Sequence, residues 1–170
     1  MKHIYLLRHA KSDWSEPFES DEKRGLSERG KKQIKALRHF LQDYQLDVDM
    51  ALVSQAVRAE KTYHHLRKEI LRLPKPDVIP SIYESDAEDL LFLCQGIPNM
   101  VRSILIVGHN PGLENFASGL LFGNPEASCF TKFPTASLLG VNSECENWKD
   151  ISFGKSKLKV FWIPGQIGKL

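Results

Sequence analysis

The sequence predicts a single α/β domain of three layers, in which a mainly parallel sheet is covered by helices on both faces. Short apolar runs typical of strands alternate with longer amphipathic segments typical of helices, an order that favours parallel strands. The 170 residues, 42% hydrophobic and 26% charged, are enough to bury one core. No internal repeat or low-complexity segment divides them, so residues 1–170 are expected to form one domain.

The predicted elements follow in order from the N-terminus. A strand near 3–7 precedes a charged loop and a helix near 27–43, which Ser27 would cap. Apolar positions recur in this helix at helical spacing: Ile34, Leu37, Phe40, Leu41 and Tyr44. Further strands are predicted near 50–54, 77–80, 103–107, 137–142 and 157–163, and further helices near 55–71, 86–96 and 111–122. The proline-rich stretch 74–80 is interpreted as a loop and not as a linker between domains.

Two polar residues stand where the first strand should end. Ile4 to Leu7 form an apolar run, and Arg8 and His9 follow it directly. In an open α/β sheet the carboxyl ends of the strands face the ligand crevice. An arginine beside a histidine at that edge offers a fixed cation next to a nucleophile that can be neutral near pH 7. The alternative is a strand that ends in a solvated basic pair.

A second histidine has the same placement. His109 follows the apolar run 103–107 and precedes Asn110 and Pro111, which we interpret as the N-cap and the first residue of the next helix. Free backbone N–H groups at a helix N-terminus favour bound anions. A lone histidine there would more often be a capping or packing residue. Two histidines at strand ends, the first preceded by arginine, favour an anion site.

A third basic residue is predicted at the same edge. The apolar run 50–53 is followed by Ser54, which could cap the next helix and so place Arg58 in its first turns. By itself, Arg58 is interpreted as an exposed arginine on a helix. Together with the other basic residues it is a candidate anion ligand.

Five stretches in order identify a family resemblance. They are LLRHAKSDW (6–14), DEKRGLSERG (21–30), LVSQAVRAEKT (52–62), YESD (83–86) and LIVGHNPGLE (105–114). Together they resemble the histidine phosphatase superfamily, in its small SixA-type phosphohistidine phosphatase branch. The resemblance implies a phosphoglycerate-mutase-like fold. Alanine at position 10, where many members carry glycine, is familiar in the SixA-type branch.

The resemblance implies a role for each basic residue. His9 would accept the phosphoryl group, while Arg8, Arg58 and His109 would hold its oxygens, and Arg24 would be a further phosphate ligand. Positioned cations stabilise the charge that a phosphoryl group carries in transit. The group would then pass to water. No metal or other cofactor is expected, because the arginines and His109 take the place of a divalent cation.

The general acid is the open part of this assignment. Glu84 is the best-placed carboxylate by resemblance to relatives that carry an acid, and an alkyl phosphate needs one to expel its leaving group. Alternatively, Glu84 and the neighbouring acids only favour the start of the next helix through its dipole. Phosphohistidine needs less help, because imidazole is a far weaker base than an alkoxide.

Three function hypotheses follow. The first is a phosphatase for phosphohistidine in proteins, the second a phosphatase for small phosphoesters, and the third a non-catalytic module that binds phosphate. The compact chain favours the first, because only short connections are left to build a deep cap over a small substrate. The complete set of basic residues favours an enzyme.

Composition excludes other partners. A net charge of +2 without a basic tract argues against nucleic acid, and no apolar run approaches the length of a membrane span. Three cysteines, at positions 94, 129 and 145, lack metal-type spacing and are expected to be mostly buried in a reducing compartment, the cytoplasm.

Lys11 lies near His9 but is expected in a solvated loop. Trp14 is interpreted as a packing residue rather than a lid.

Overall fold

A computed structural model describes residues 1–15, 17–127, 129–130 and 132–165. The strands are β1 (Lys2–Arg8), β2 (Met50–Val53), β3 (Pro76–Val78), β4 (Ser103–Gly108), β5 (Leu138–Ser143) and β6 (Ser156–Trp162). The helices are α1 (Glu28–Asp43), α2 (Val57–Glu69), α3 (Ala87–Gln95) and α4 (Gly112–Phe122). Strands and helices therefore alternate as predicted.

The strands form one sheet in the order β3-β2-β4-β1-β5-β6. β1, β2, β3 and β4 run parallel, β5 is antiparallel to β1, and β6 is antiparallel to β5. The predicted mainly parallel sheet is confirmed, with β5 as the strand of opposite direction. The carboxyl ends of β1, β2 and β4 meet at one edge of the sheet.

Helices cover both faces of this sheet. Successive side chains of a strand point to opposite faces, and β1 shows it clearly. Tyr5 and Leu7 pack into a core shared with α1 and α2, whereas Ile4 and Leu6 pack into a second core shared with α3 and α4. The three-layer α/β domain predicted from the sequence is confirmed.

The start of α1 anchors the loop that follows β1. Ser27 caps the helix as predicted, since its hydroxyl accepts the N–H of Gly30 at 3.0 Å. The same hydroxyl donates to the carbonyl of Lys11. A Cβ on Gly30 would lie 2.2 Å from that carbonyl oxygen, so only glycine permits this approach. The helix thereby fixes the backbone two residues beyond His9.

Some boundaries differ from the prediction. The stretch 74–80 is not all loop, because Pro76–Val78 pair with Ala51–Val53 as the edge strand β3. Proline is tolerated at the first residue of an edge strand, where no ladder donor is lost. α2 spans 57–69 rather than 55–71. Such differences at element ends are ordinary, because helix and strand termini are set by local contacts.

The cysteines follow the prediction only in part. All three are free thiols; Cys94 is buried, Cys145 is half-buried and Cys129 is exposed. The expectation of mostly buried cysteines is wrong for Cys129, which lies at the surface. Among the described residues, no helix has the length and hydropathy needed to cross a bilayer, and no cluster of three metal-ligating side chains is present.

Candidate active site

The sheet brings the two motif histidines together. Arg8 and Gly108 are paired residues at the ends of β1 and β4, so the residues that follow them leave the sheet side by side. The backbone N–H of His9 donates to the carbonyl of Gly108 at 3.1 Å. The rings of His9 and His109 lie 5.1 Å apart between centroids. Parallel pairing thus converts a separation of 100 positions in the sequence into a direct contact.

The ring of His9 has a defined tautomer. Its Nδ1 lies 2.8 Å from the carbonyl oxygen of Ala10, which can only accept, so Nδ1 carries the proton and Nε2 keeps a lone pair. Burial, and then the charges of neighbouring cations such as Arg58, lowers the pKa of His9 to about 3. The ring is therefore neutral at pH 7, and its Nε2 lone pair can accept a hydrogen bond or attack an electrophile.

The backbone of the loop that follows His9 is tied to α2. The N–H of Ala10 donates to the hydroxyl of Thr62 at 2.9 Å, and this hydroxyl donates to the carbonyl of Arg58 at 2.6 Å. Ala10 is fully buried against this helix. Thr62, which the sequence analysis did not single out, therefore links the His9 loop to the first turn of α2.

Arg58 lies beside His9. It is the second residue of α2, and its buried side chain donates from Nε to Nε2 of His9 at 3.4 Å. The predicted alternative of an exposed helix arginine is wrong, because the tie through Thr62 turns this face of α2 inward. Arg8 donates to the carbonyl of Phe133 at 3.0 Å, and its buried Nε has no partner among the described residues.

His109 is held by a serine from the neighbouring strand end. Val53 of β2 pairs with Val107 of β4, which sets Ser54 beside His109; the Ser54 hydroxyl lies 2.7 Å from Nε2 of that ring. Nδ1 of His109 is buried without a partner in the described part of the chain. Burial, and then the positive charge of Arg58, lowers the pKa of His109 to about 4. Nδ1 is therefore available to a bound ligand.

Two predicted helix caps are wrong. α2 begins at Val57 with Ala56 as its N-cap, and Ser54 serves His109 instead. Likewise α4 begins at Gly112 with Pro111 as its N-cap residue. The side chain of Asn110 does not cap the helix, because it donates to the carbonyl of Phe133 at 2.9 Å. In both cases the polar side chain forms a hydrogen bond with a residue outside the helix it was predicted to cap.

Arg24 reaches the same site from the loop between β1 and α1. Its side chain is buried, and it donates to the Ser12 hydroxyl and, at 2.7 Å, to the carboxylate of Asp21. The charge of Arg24 acts on the pKa of His109, as do those of Arg8 and Arg58. The structure thus brings the three predicted arginines together around the two histidines.

Asp21 and Tyr83 are two further site residues that the sequence analysis missed. The Asp21 carboxylate contacts Arg24 and Arg58, and it accepts the Tyr83 hydroxyl at 2.5 Å. The Tyr83 ring packs edge-on against His109, with centroids 5.5 Å apart. One sequence signal existed for Asp21, since an acid three residues before an arginine often forms an ion pair on a turn. Tyr83 belongs to the motif YESD (83–86), in which only the acidic residues were considered as candidates.

Glu84 lies at the rim of the site. It is exposed, and it lines a cavity of about 240 Å³ together with Tyr83, His109 and the residues that open α4. Its carboxylate makes no hydrogen bond or ion pair with any residue that the structure describes. Glu84 is therefore near His109 but is not held by its surroundings.

The loop residues next to the site differ in their exposure. Lys11 is half-buried, and the contacts that hold it are made by its backbone. Trp14 is 62% exposed, with its ring face 3.6 Å from the guanidinium carbon of Arg24 and its edge against Phe18. The interpretation of Trp14 as a packing residue is wrong, because its main contact is a cation–π stack at the rim of the site.

Fold and site together place buried arginines around two neutral histidines at the carboxyl edge of the sheet. Residues 4–89 match the sequence model of the histidine phosphatase superfamily (branch 1). The chain belongs to this superfamily and is a phosphatase. The resemblance first seen in the motifs is thereby confirmed.

Relatives extend the similarity over the whole chain. An uncharacterised protein of Mycobacterium leprae is 26% identical over 166 residues, covering 93% of this chain and 99% of its own length. A solved structure assigned as a phosphohistidine phosphatase, SixA, from Agrobacterium tumefaciens is 27% identical with a TM-score of 0.77, covering 96% of this chain and 99% of that one. A protein histidine phosphatase SixA complexed with tungstate has a TM-score of 0.75 at 21% identity, covering 94% and 95%. The chain is thus similar to SixA-type members of its superfamily.

Proposed function

We propose that this phosphatase forms a covalent phosphohistidine on His9 and takes phosphohistidine in a protein as its substrate. The observation that carries the proposal is the tautomer of His9. Its Nδ1–H is committed to the Ala10 carbonyl, and its Nε2 lone pair faces the guanidinium of Arg58. A neutral, oriented imidazole between fixed cations suits attack on a phosphoryl group.

Two displacements complete the reaction. Nε2 of His9 attacks phosphorus, and a new P–N bond forms as the P–N bond to the substrate breaks. The substrate ring keeps the bonding pair and leaves as neutral imidazole, since its other nitrogen has taken a proton from solvent. Water then attacks phosphorus, the electron pair returns to Nε2 of His9, and inorganic phosphate departs with the protons of the attacking water shared between phosphate and solvent.

The basic residues stabilise both steps. In this proposal Arg8, Arg58 and His109 hold the phosphoryl oxygens, with Arg24 as a further ligand, so no metal is assigned. The unpartnered Nε–H of Arg8 supports these roles, because a buried donor without a partner is costly unless a ligand satisfies it. In the tautomer in which the Ser54 hydroxyl donates to Nε2, the unpartnered Nδ1 of His109 carries the proton and is a second such donor. The tungstate bound to the SixA protein of similar fold also supports an oxyanion here.

The surroundings of the site favour a protein substrate. Trp14 and Phe18 are exposed next to Arg24, where a macromolecule carrying the phosphoryl group could cover them. Glu84 is exposed, which suits a substrate that needs no general acid. An exposed free thiol at Cys129 supports a reducing compartment, and we place the reaction in the cytoplasm.

One observation favours the alternative of a small phosphoester. Glu84 lines the same cavity as His109, so its carboxyl group could protonate an alkoxide that leaves from this side. This alternative shares the first displacement on His9 and differs only in the leaving group.

The test compares substrates and traps the intermediate. Wild type should hydrolyse a phosphohistidine peptide and an aryl phosphate, and His9→Ala should hydrolyse neither while it still binds vanadate. Rapid quenching with labelled substrate should leave label that survives alkali and is lost in acid. His39→Ala, at an exposed position of α1, is the matched control and should behave as wild type. Label on serine or cysteine, or turnover by His9→Ala, would overturn the proposal.

A further inference from the structure

The carboxylate of Asp21 occupies donors of two of the arginines in the site. Its Oδ1 accepts from Nη2 of Arg24 at 2.7 Å, and its Oδ2 accepts from Nη2 of Arg58 at 3.0 Å. Its backbone carbonyl also accepts from Nη1 of Arg58 at 2.8 Å. Oδ2 further accepts the hydroxyl of Tyr83. A single residue thus takes up four donors around the nucleophile.

These contacts leave Arg58 almost fully engaged. Each of its three guanidinium nitrogens already donates: Nε to His9 and both Nη atoms to Asp21. A guanidinium has five N–H groups, so only one hydrogen on each Nη remains for another acceptor. Phosphoryl oxygens therefore have to compete with Asp21 for Arg58.

The charge balance explains why a carboxylate stands here. Three guanidinium groups converge at the site, and like charges repel one another. Among the described residues, Asp21 is the one carboxylate that ion-pairs with Arg24 or Arg58. The bonds from Tyr83 and Arg24 hold the pKa of Asp21 well below its usual range, so the group is an anion at pH 7. It neutralises part of the charge that an oxyanion would otherwise neutralise.

The position of Asp21 allows exchange with a ligand. It opens a short 3-10 turn, residues 21–23, in the loop between β1 and α1, and its side chain is 47% exposed. A half-exposed carboxylate on a loop can give up a partner to a ligand and be solvated instead.

We propose that Asp21 is the internal counter-anion of the phosphoryl site, which holds Arg24 and Arg58 in place before substrate arrives and yields Arg58 to the phosphoryl oxygens. The proposal rests on the phosphate-binding role given to these arginines above. In this proposal Asp21 is a positioning residue, and its charge has opposite effects on the stability of the empty site and on the affinity for an oxyanion. Its charge stabilises the empty site and weakens the binding of any oxyanion there.

The substitution Asp21→Asn separates the two effects, because it keeps the shape and removes the charge. Without phosphate, its melting temperature should fall by about 2–4 °C, because the ion pairs with Arg24 and Arg58 are lost. Phosphate and vanadate should bind about tenfold more tightly by calorimetry, the scale of one charge-assisted contact. Added phosphate should therefore raise the melting temperature of Asp21→Asn more than that of wild type.

Two further variants complete the design. Glu19→Gln removes a carboxylate of the same loop that pairs, among the residues described, with Lys23 alone, so its phosphate affinity should equal that of wild type. Tyr83→Phe removes one donor that holds the Asp21 carboxylate, and should tighten phosphate binding by a smaller factor. This second variant keeps the test decisive if Asp21→Asn does not fold.

The outcomes distinguish this inference from the proposed function. If wild type binds phosphate and neither Asp21→Asn nor Tyr83→Phe binds it more tightly, Asp21 is not a counter-anion, and the phosphatase mechanism is untouched. A folded Asp21→Asn that binds phosphate more weakly would overturn the inference in the same way. If wild type itself binds neither phosphate nor vanadate, both proposals fail.

Discussion

Nε of Arg58 lies 3.4 Å from Nε2 of His9, so the lone pair of that ring nitrogen is directed at a guanidinium. This contact orients the ring while no substrate is bound. In the proposed mechanism it also sets the cation next to the position that phosphorus occupies during attack. In that mechanism the arginine exchanges its bond to nitrogen for bonds to phosphoryl oxygens as the reaction proceeds.

Replacing Arg58 by lysine should remove most of the activity. Lysine keeps the charge but loses the planar fork that reaches His9 and the phosphoryl oxygens together. We expect kcat/KM on phosphohistidine to fall by about 10²–10³-fold, as for the loss of one transition-state donor. Arg29→Lys, at an exposed position of α1, is the matched control and should retain full activity. Activity of Arg58→Lys within threefold of wild type would show that position 58 contributes charge alone.

The substitution Glu84→Gln tests the leaving group. We expect wild type to hydrolyse alkyl phosphates feebly, and Glu84→Gln to leave phosphohistidine hydrolysis nearly unchanged, because an imidazole leaving group needs no acid from the protein. Steady-state rates on both substrates measure this, with Glu88→Gln in the first turn of α3 as control. Brisk turnover of a sugar phosphate by wild type, lost by about 10²–10⁴-fold in Glu84→Gln, would identify a general acid and a phosphoester substrate.

The hydroxyl of Ser54 should matter for catalysis through His109. Ser54→Ala leaves the ring without the partner at its Nε2, and a misplaced ligand of the phosphoryl group can lower kcat by about 10²-fold. Stability should fall by about 1–3 kcal/mol from the unsatisfied buried group. Ser118→Ala in α4 is the control, because that buried hydroxyl has no partner among the described residues and its loss should cost little. A loss of stability in Ser54→Ala without a change in kcat would reduce Ser54 to a structural role.

Stability should decline in mild acid because of the two site histidines. Their pKa values are lowered to about 3 for His9 and about 4 for His109, mainly by burial, against about 6.5 in the unfolded chain. Between these limits the unfolded chain binds more protons than the folded one, so the free energy of unfolding falls as pH falls from 6.5 towards 4. Each histidine lowers the free energy of unfolding by at most about 1.4 kcal/mol for each pH unit of acidification within this range.

Urea unfolding at a series of pH values measures this decline. The variant His109→Asn should show a shallower dependence on pH than wild type between pH 6.5 and 4. The lowered pKa of Asp21 acts mainly below about pH 4, because this part of the stability is lost only as the carboxyl of the unfolded chain, with its ordinary pKa of 3.8, takes up a proton. An identical pH dependence in wild type and in His109→Asn would show that His109 is not buried as a neutral ring.

The core of the site could be predicted from the sequence because of a regular feature of parallel sheets. Arg8, His9 and His109 each adjoin a buried apolar run, and strand ends of one direction meet at one edge. The period of the apolar positions likewise predicted α1 and its buried face. The polar loop residues could not be assigned in this way, as the two wrong helix caps at Ser54 and Asn110 show.

The sequence by itself determined the order of strands and helices, the parallel sheet and the histidines at its edge, because these follow from apolar periodicity and from residues adjacent in the chain. Only the tertiary structure decided that Asp21 pairs with Arg58, 37 positions away, and accepts the hydroxyl of Tyr83, 62 positions away. In the sequence Asp21 is one acid in a charged loop, where a solvated side chain is the ordinary outcome. Its partners depend on which loops meet above the sheet, since a carboxylate pairs with whatever cation the fold brings within reach.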